Sequence, residues 1–330
     1  MRAWRVHELG EPTDVLRLED VPEPVPGPGE VRVDVAGASL NFPDVLMCRG
    51  EYQVKPPLPF TPGAEVAGTV AATGDGVTSV RPGERVIAIP KFGDGGLAEQ
   101  TLAAAATVYP IPESIDWPAA AALHITYQTG HLALHRRAAL RPGETLLVHA
   151  GAGGVGSAAI QLGKAAGARV FATAGGPEKV EVCRKLGAEL VVDYRADDFV
   201  AAVKDATAGR GADVIYDPVG GDTFDRSRKC VAFEGRILVI GFTSGRIADA
   251  PTNHALIKNY SVVGVHWGLY NLMDPALIRA THDELVRLHA AGDIAPLVSS
   301  VLPLEDAAVA LERLASRGTW GKIVCTTGVA

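Results

Sequence analysis

Cysteine is scarce in this 330-residue sequence, and the few cysteines lie far apart. None of them forms a C-x-x-C pair or a zinc-knuckle spacing, the usual signatures of redox and structural zinc motifs. This spacing argues against a disulfide scaffold, and we expect buried, reduced thiols. The four residues are Cys48, Cys183, Cys230 and Cys325.

Positive charge is also in short supply, and long apolar runs are absent. The chain has 31 Lys and Arg against 38 Asp and Glu, a net charge of −7, whereas a nucleic-acid partner usually leaves a basic footprint. No apolar run is long enough to span a bilayer, and the start of the chain lacks the apolar core of a signal peptide. We therefore expect a cytoplasmic protein with neither nucleic acid nor membrane as a partner. The length suits two domains.

Glycine and proline are plentiful at the beginning of the chain, where they separate short apolar runs. Segments 31–36, 66–71 and 85–89 are predicted strands. Short strands divided by such turns are typical of an irregular β-barrel. Proline in a first turn also predicts helices that begin near Pro43 and Pro118.

Residues 124–265 alternate between apolar strands and helical stretches. This alternation predicts right-handed βαβ units and a six-stranded parallel sheet of the doubly wound, Rossmann type. The predicted strands are 145–149, 169–173, 190–193, 213–217, 236–241 and 260–264, and the predicted helices are 155–166, 178–186, 197–207 and 222–231.

The tail of the chain, from residue 266, has two amphipathic helices (275–289 and 304–314) and a last strand at 321–326. So short a segment with little β structure makes a poor domain of its own. We expect it to complete the first domain. The predicted division is 1–123 with 266–330 as one domain, and 124–265 as the other.

A glycine-rich motif follows the first strand of the predicted Rossmann domain. Gly151, Gly153 and Gly156 have G-x-G-x-x-G spacing, between an apolar strand and a helix. We expect Gly151 to allow the tight turn, Gly153 to let the backbone approach a pyrophosphate, and Gly156 to let helix and strand pack closely. The helix N-terminus also favours an anion. The motif therefore predicts a dinucleotide site.

The choice of nicotinamide cofactor depends on the end of the next strand. NAD enzymes usually place Asp or Glu there to bind the ribose 2′-hydroxyl, but residues 172–176 contain no acid. Lys179 follows closely, and Tyr194 and Arg195 end the neighbouring strand. Two cations and a phenol can bind a 2′-phosphate through charge-assisted hydrogen bonds. The pattern favours NADPH, although Lys179 by itself is equally well explained as a solvated helix residue.

With these motifs in place, the sequence resembles the zinc-independent medium-chain dehydrogenase/reductases, in particular the NADPH:quinone oxidoreductases of the ζ-crystallin type. The resemblance covers essentially the whole chain. It rests on the glycine-rich segment Gly143–Lys164, on Asn41-Phe-Pro-Asp44 with Arg49-Gly-Glu-Tyr52, on Pro62–Gly68, on Asp217–Gly221 and on Gly241–Gly245.

The resemblance implies a GroES-like barrel built from both ends of the chain, with the Rossmann domain inserted between them. It also implies a homodimer or homotetramer joined through the last Rossmann strand. Zinc-dependent members of the superfamily have Cys and His where this chain has Asn41 and Ala64, so we expect no metal site. Without a Lewis acid, hydride transfer from NADPH to a quinone or conjugated enone in the interdomain cleft is the expected reaction.

The cofactor-binding residues follow from the motif and from the resemblance. Two of them have an alternative explanation as core residues, namely Val219 and Phe242, and Lys322 has one as a solvated strand end. The full set is Thr129, Gly153, Gly154, Val155, Gly156, Gly176, Lys179, Tyr194, Val219, Gly241, Phe242, Trp267 and Lys322.

Tyr52 and Asn41 are the candidate catalytic residues. In related enoyl-thioester reductases a tyrosine at the position of Tyr52 is thought to donate a proton, and a phenol is protonated at neutral pH. The alternative for Tyr52 is a loop residue that packs on Pro56 and Pro57. Asn41 is expected to hydrogen-bond an acceptor oxygen, and Asp44 to fix its loop through backbone N–H groups.

Two further points remain open from the sequence. His131 and His135, near His124, are i and i+4, but we interpret them as a helix-surface pair and not as metal ligands.

Two other functions compete with quinone reduction. One is an enoyl-thioester reductase that acts on an acyl-CoA. The other is a weakly catalytic NADPH-binding protein with a sensing, structural or RNA-binding role, although the acidic composition disfavours RNA.

Overall fold

A computed structural model describes residues 1–328, and the chain divides into two compact units. Unit 1 comprises Met1–Ile125 and the chain from Pro296 onward, and unit 2 comprises Thr126–Ala295. The boundary at residue 125 falls inside one helix, α3 (Trp117–His131), which a π-helical turn at Leu132–Arg137 continues.

Unit 1 is a β structure with three further helices. Its main sheet has the strand order β14-β15-β3-β4-β5-β7, and β6 pairs with β3 as well. Val31, Val33 and Val35 alternate with polar residues along β3 and are fully buried, which explains the period of two in the sequence. The strands are β1 (Arg2–Val6), β2 (Leu16–Asp20), β3 (Glu30–Ser39), β4 (Val66–Thr73), β5 (Arg85–Ala88), β6 (Gln100–Ala104), β7 (Val108–Pro110), β14 (Val298–Pro303) and β15 (Lys322–Thr326); the helices are α1 (Pro12–Val15), α2 (Phe42–Arg49) and α11 (Ala307–Ala315).

The end of the chain completes this sheet. Strand β15 pairs antiparallel with β3, with Cys325 opposite Ala38, and β14 runs parallel to β15. Leu304, in the turn before α11, and Leu311, in α11, belong to the same buried core as the β3 valines. The predicted strand at 321–326 and the predicted helix at 304–314 are therefore both present, and they pack as part of unit 1.

Unit 2 is a doubly wound α/β structure, as the sequence predicts. All six strands are parallel, in the order β10-β9-β8-β11-β12-β13. The order reverses between β8 and β11, which is the switch point of the Rossmann arrangement. The strands are β8 (Thr145–Val148), β9 (Arg169–Ala174), β10 (Leu190–Asp193), β11 (Ala212–Asp217), β12 (Val231–Val239) and β13 (Ser261–Gly264); the helices are α4 (Gly154–Ala165), α5 (Pro177–Lys185), α6 (Phe199–Ala206), α7 (Gly221–Cys230), α8 (Thr252–Lys258), α9 (Trp267–Met273) and α10 (Pro275–Ala290).

The second domain boundary differs from the prediction. Residues 266–295, which the sequence assigns to the first domain, belong to unit 2. Gln128 Nε2 donates to the carbonyl of Ile278 in α10 at 2.9 Å, and Ala295 N donates to Gln161 Oε1 at 2.7 Å. The Tyr127 hydroxyl donates to the Ala295 carbonyl at 3.0 Å. These hydrogen bonds hold α10 and the segment after it against α3 and α4, so the chain returns to unit 1 about thirty residues later than predicted.

The four cysteines are buried as free thiols without disulfide bonds, as expected from their spacing. Burial raises the pKa of each thiol to about 12, so the thiols stay protonated at neutral pH and act as small apolar residues. Among the helices of residues 1–328, none has the length and apolar character that crossing a membrane requires.

Candidate functional site

The carboxyl edge of the unit 2 sheet gathers most of the predicted cofactor residues. In a parallel sheet all strands end at the same edge, and ligands bind there at the switch point. After β8, Gly153 caps α4, which begins with Gly154, Val155 and Gly156. The loops after β9, β10, β11 and β12 carry Gly176, Tyr194, Val219 and Gly241 in turn, and Trp267 begins α9 after β13. Thr129 lies elsewhere in unit 2, buried in α3.

The glycine-rich loop lies between β8 and α4, as predicted, but its turn is made differently. Ala150 and not Gly151 takes the left-handed conformation, with φ 50°. Gly151 is needed for close packing instead, since a Cβ there would lie 2.9 Å from Cys183 Sγ and 3.0 Å from Ala172 Cβ. A Cβ on Gly156 would overlap the Ala150 carbonyl. The backbone therefore passes directly into α4, whose first-turn N–H groups have no acceptor within the helix.

Beside this loop, two cations and a phenol surround the end of β9. A Cβ on Gly175 would lie 2.5 Å from the Tyr194 hydroxyl and 3.1 Å from Arg195 Nε, so both side chains cover the Gly175–Gly176 backbone. Burial, and then the nearby Arg195 guanidinium, lowers the pKa of Lys179. The structure thus brings Gly176, Lys179, Tyr194 and Arg195 together.

The carboxylate of Asp193 lies near this group, but it is already engaged. Asp193 Oδ1 accepts hydrogen bonds from the backbone N–H of Gly176 and of Arg195, both at 3.0 Å. These bonds lower the pKa of Asp193 and hold the turn after β10 against the turn after β9. Asp193 therefore shapes the loop pair on which Lys179 and Arg195 are presented.

The loops after β11 and β12 form a second pair. Thr243 N donates to the Pro218 carbonyl at 3.1 Å and Ser244 N to the Val219 carbonyl at 3.0 Å. Asp217 Oδ1 accepts from Val219 N and from Gly220 N, which stiffens the first loop. Phe242 is 38% exposed and Val219 is half-buried, so the alternative that both are core residues is not supported.

A buried histidine that was not predicted from the sequence, His149, lies beneath the glycine loop. His149 Nε2 lies 2.8 Å from Ser227 Oγ and His149 Nδ1 lies 3.0 Å from Thr173 Oγ1. The Ser227 hydroxyl donates to the Thr223 carbonyl, so its oxygen accepts from His149 Nε2–H, and His149 Nδ1 accepts from Thr173. Burial lowers the pKa of His149 to about 4, which keeps it neutral. The only sequence signal is one polar residue at the end of an apolar run.

In unit 1, Lys322 lies at the centre of a buried polar cluster. Its ammonium donates to the Leu40 carbonyl at 2.9 Å, to Asn41 Oδ1 at 2.6 Å and to Glu65 Oε1 at 2.9 Å. Lys322 is 5% exposed and Glu65 is fully buried. All three ammonium hydrogens are thus used within unit 1. The structure does not support the prediction that Lys322 binds the cofactor, nor the alternative of a solvated strand end.

The same cluster determines what Asn41 can do. An ammonium group only donates, so the Asn41 oxygen must face Lys322 and the amide nitrogen must face the other way. Asn41 Nδ2 donates to Glu65 Oε1 at 3.0 Å and to the Ser39 carbonyl at 3.2 Å. Both amide hydrogens are therefore engaged, which contradicts the expectation that Asn41 donates to an acceptor oxygen. The structure gives Asn41 a place in the buried cluster instead.

Asp44 fixes the loop at the start of α2, as expected. Its carboxylate accepts from Asn41 N at 2.8 Å and from Gly63 N at 3.1 Å. Burial raises the pKa of Asp44 to about 6, against the effect of these two hydrogen bonds. Two loops that are far apart in sequence are thereby joined at one carboxylate.

Tyr52 lies at the rim of the unit 1 core, next to α2. It is half-buried and packs against the cluster that contains Val45 and Met47. Burial, and then the nearby Asp44, raises the pKa of the Tyr52 phenol. The phenol therefore stays protonated throughout the neutral range and is able to donate a proton.

The histidines near α3 do not converge on a metal site. The rings of His131 and His135 lie 4.4 Å apart, and His124 is buried against the ring of Tyr109. Burial, and then His135, lowers the pKa of His131 to about 4. Within residues 1–328, no group of three or more His, Cys, Asp or Glu side chains is placed to hold a metal ion.

Comparison with known proteins agrees with this architecture. The family model described as an alcohol dehydrogenase GroES-like domain matches residues 27–113, and the one described as a zinc-binding dehydrogenase matches residues 154–282. Quinone oxidoreductase-like protein 2 of Mus musculus is 40% identical over 325 residues, which are 98% of this chain and 91% of that protein.

Two other relatives cover nearly the full length. The quinone oxidoreductase of Sus scrofa is 35% identical over 98% of this chain and 97% of its own. The crystal structure of Escherichia coli quinone oxidoreductase complexed with NADPH matches with a TM-score of 0.91 and 30% identity, over 99% of this chain and 100% of that chain. The chain therefore belongs to the medium-chain dehydrogenase/reductases, in the quinone oxidoreductase family.

Proposed function

We propose that this protein is an NADPH-dependent reductase that transfers hydride to a quinone or conjugated enone without a metal ion. The observation that carries the proposal is the continuous row of loops at the carboxyl edge of the unit 2 sheet. It ends in two cations where an NAD enzyme would place an acid. Bound NADPH supplies the hydride, and the residues of the chain bind and orient the reactants.

The cofactor fits unit 2 by its charges. The first turn of α4 would hold the pyrophosphate at the N-terminal end of the helix dipole. Lys179, Tyr194 and Arg195 would hold the 2′-phosphate, for which two cations and a hydroxyl provide charge-assisted hydrogen bonds. Val219, Gly241, Phe242, Trp267 and Thr129 are proposed for the nicotinamide half.

A zinc ion does not fit the residues of unit 1. The Lys322 ammonium lies between Asn41 Oδ1 and Glu65 Oε1, and Ala64 offers no ligand atom. A cation held there by hydrogen bonds would repel a second one. An acceptor that is already electron-poor suits such a site, since a quinone or an activated enone takes up hydride without a Lewis acid.

Tyr52 is proposed as the proton donor to the reduced acceptor. Its raised pKa keeps the proton on the phenol at neutral pH, and its place at the rim of the unit 1 core leaves it accessible. Asn41 is not proposed for this step, because both of its amide hydrogens are engaged.

Self-association through β13 is part of the proposal. This strand is the last in its sheet, and an unpaired strand edge is a template for pairing with a second copy. Large apolar side chains on the flanking helices α8 and α9 are exposed, namely Leu256, Ile257, Leu272 and Met273. Sedimentation of Leu272→Glu/Met273→Glu beside the unsubstituted protein tests this; a monomer in both samples contradicts it.

The deciding experiment is NADPH oxidation in metal-free buffer with a chelator. A naphthoquinone, a simple enone and crotonyl-CoA are compared as acceptors. We expect turnover of the quinone or the enone. Turnover of crotonyl-CoA alone would point to an enoyl-thioester reductase. Tight NADPH binding without turnover of any acceptor would point to a regulatory or structural protein.

A further inference from the structure

Unit 1 has an apolar pocket that Tyr52 helps to line, and the other lining residues have no part in the proposed reaction. Its volume is about 280 Å³, and the side chains that line it are almost all apolar. The lining residues are Leu9, Met47, Gly50, Tyr52, Val54, Lys55, Pro56 and Leu58.

The pocket is formed by two chain segments that are tied together. Gly10 N donates to the Cys48 carbonyl at 2.9 Å, which joins the loop after β1 to the end of α2. Gly50 ends α2 in the left-handed conformation, with φ 70°. A Cβ there would lie 2.6 Å from Leu9 Cδ1. Leu9 therefore lies directly over the helix end, where Gly50 takes a conformation that favours glycine, and the Leu9 side chain forms one wall of the pocket.

The apolar side chains around the pocket are unusually exposed. Leu9 is 50% exposed, Val54 is 55% exposed and Leu58 is 45% exposed. Three large apolar side chains that converge on one concavity, with half of their surface in water, gain free energy when an apolar ligand covers them.

The side chains next to the pocket limit which class of ligand it can bind. The pocket shares Tyr52 with the proposed reaction site, so a ligand that places its reacting ring at Tyr52 can extend a substituent into the pocket. Lys55 is the one cation in the lining, and the neighbouring residues Glu8, Glu11 and Glu51 are acidic. Arg49 is already paired with Glu11 at 2.7 Å. These acidic neighbours disfavour the negatively charged phosphates of a coenzyme A thioester.

We propose that this pocket binds the apolar side chain of a lipophilic quinone whose ring lies at Tyr52. The inference rests on the proposed function and specifies its substrate class. Since such a side chain contributes the same binding energy before and during hydride transfer, it lowers KM and leaves kcat nearly constant.

The test is a series of benzoquinones with alkyl side chains from none to decyl, at saturating NADPH. We expect kcat/KM to rise with chain length, by at most about fourfold for each buried methylene, mainly through KM. The substitution Val54→Asp places a carboxylate in the lining, and it should reduce the ratio of kcat/KM for the decyl compound to that for the parent quinone by about tenfold or more.

Val25→Asp is the matched control, because Val25 is 81% exposed in the same unit and lies outside the lining. It should leave the decyl-to-parent ratio as it is. A flat chain-length series, or equal effects of Val54→Asp and Val25→Asp, would overturn the inference. Enoyl-CoA thioesters of increasing acyl length are assayed beside the quinones, and a chain-length effect seen only with these thioesters would overturn the choice of a quinone.

Failure of the proposed function has a different signature, namely no turnover even of the parent quinone. Equilibrium dialysis of the decyl quinone then tests the pocket alone. Binding that Val54→Asp weakens and Val25→Asp does not would support the pocket. Binding that is absent or insensitive to Val54→Asp would overturn it.

Discussion

The two units form their polar sites in different ways. In unit 2, each loop at the carboxyl edge follows its own strand within a few residues, and the parallel sheet brings the loops together. In unit 1, the buried cluster joins Asn41, Glu65 and Lys322, and the last of these is 281 positions from the first. A parallel sheet therefore needs only correct local segments, whereas the unit 1 cluster needs the two ends of the chain to pair.

This contrast predicts different consequences of substitution. Changes in the unit 1 cluster should reduce the stability of the fold, because a buried charge loses its partner. Changes at the unit 2 loops should reduce cofactor affinity, because the side chains there are partly exposed and are the ones proposed to bind NADPH. Four substitutions test the contrast, in order of expected effect.

The largest effect is expected from Lys322→Met. The substitution leaves the Glu65 carboxylate buried without a cation and the Asn41 oxygen without its donor, so the free energy of unfolding should fall by about 3–5 kcal/mol. Chemical denaturation measures this loss. Lys91→Met is the control in the same unit, since Lys91 pairs with Glu30 at the surface at 2.8 Å and should cost far less. Equal losses for the two variants would remove the contrast.

Tyr52→Phe comes next and tests the chemistry of unit 1. Loss of the phenolic proton should lower kcat on an enone about 100-fold, with NADPH affinity retained. Because the pKa of Tyr52 is raised, its contribution should persist from pH 6 to pH 9 and decline only above about pH 10. Steady-state kinetics across this range gives the answer, and a kcat that matches the unsubstituted protein would make Tyr52 a packing residue.

Gly156→Ala moves the test to unit 2. The new methyl group would overlap the Ala150 carbonyl, so the loop must shift and the α4 N-terminus moves away from the pyrophosphate. The Kd for NADPH should rise about 30-fold, as measured by nicotinamide fluorescence. Gly318→Ala, in unit 1, is the control, because a Cβ at Gly318 meets its nearest atom, Ser316 Oγ, at an ordinary contact distance of 3.5 Å. Unchanged affinity in Gly156→Ala would remove the glycine loop from the site.

The smallest expected effect belongs to Lys179→Ala. If Lys179 binds the 2′-phosphate, KM should rise about tenfold for NADPH and hardly at all for NADH, since NADH lacks that phosphate. Arg195→Ala should behave in the same way, because its guanidinium lies beside Lys179. Equal changes in KM for the two cofactors would contradict the assignment.

The predictability of the fold follows the same division. The six strands of unit 2 were predictable because each is an apolar run of fitting length between turn residues. Strands β1, β2, β6 and β7 gave no comparable signal, since short strands in an irregular barrel are held by pairing partners elsewhere in the chain. The assignment of residues 266–295 to unit 2 depends on hydrogen bonds to Gln128 and Gln161, which no local pattern reveals.

The candidate site divides in the same way. Gly176, Lys179 and Tyr194 could be grouped from the sequence, because each follows the end of a neighbouring parallel strand. The environment of Lys322 could not, because a Gly-Lys pair at the start of a strand gives no information about a buried carboxylate such as Glu65. His149 was overlooked for the same reason, as its partners Thr173 and Ser227 lie on other elements.

The doubly wound sheet, the glycine-rich loop and the lack of an acid after β9 could be read from the order of residues alone. These features depend on periodicity and turn chemistry, which act over a few residues. The meeting of distant segments in the folded chain is what places Lys322 and Asn41 in one buried cluster, puts the turn at Ala150, and forms an apolar pocket beside Tyr52. Buried charges and cavities depend on which distant segments meet, because their free energy is set by the surroundings and not by neighbours along the chain.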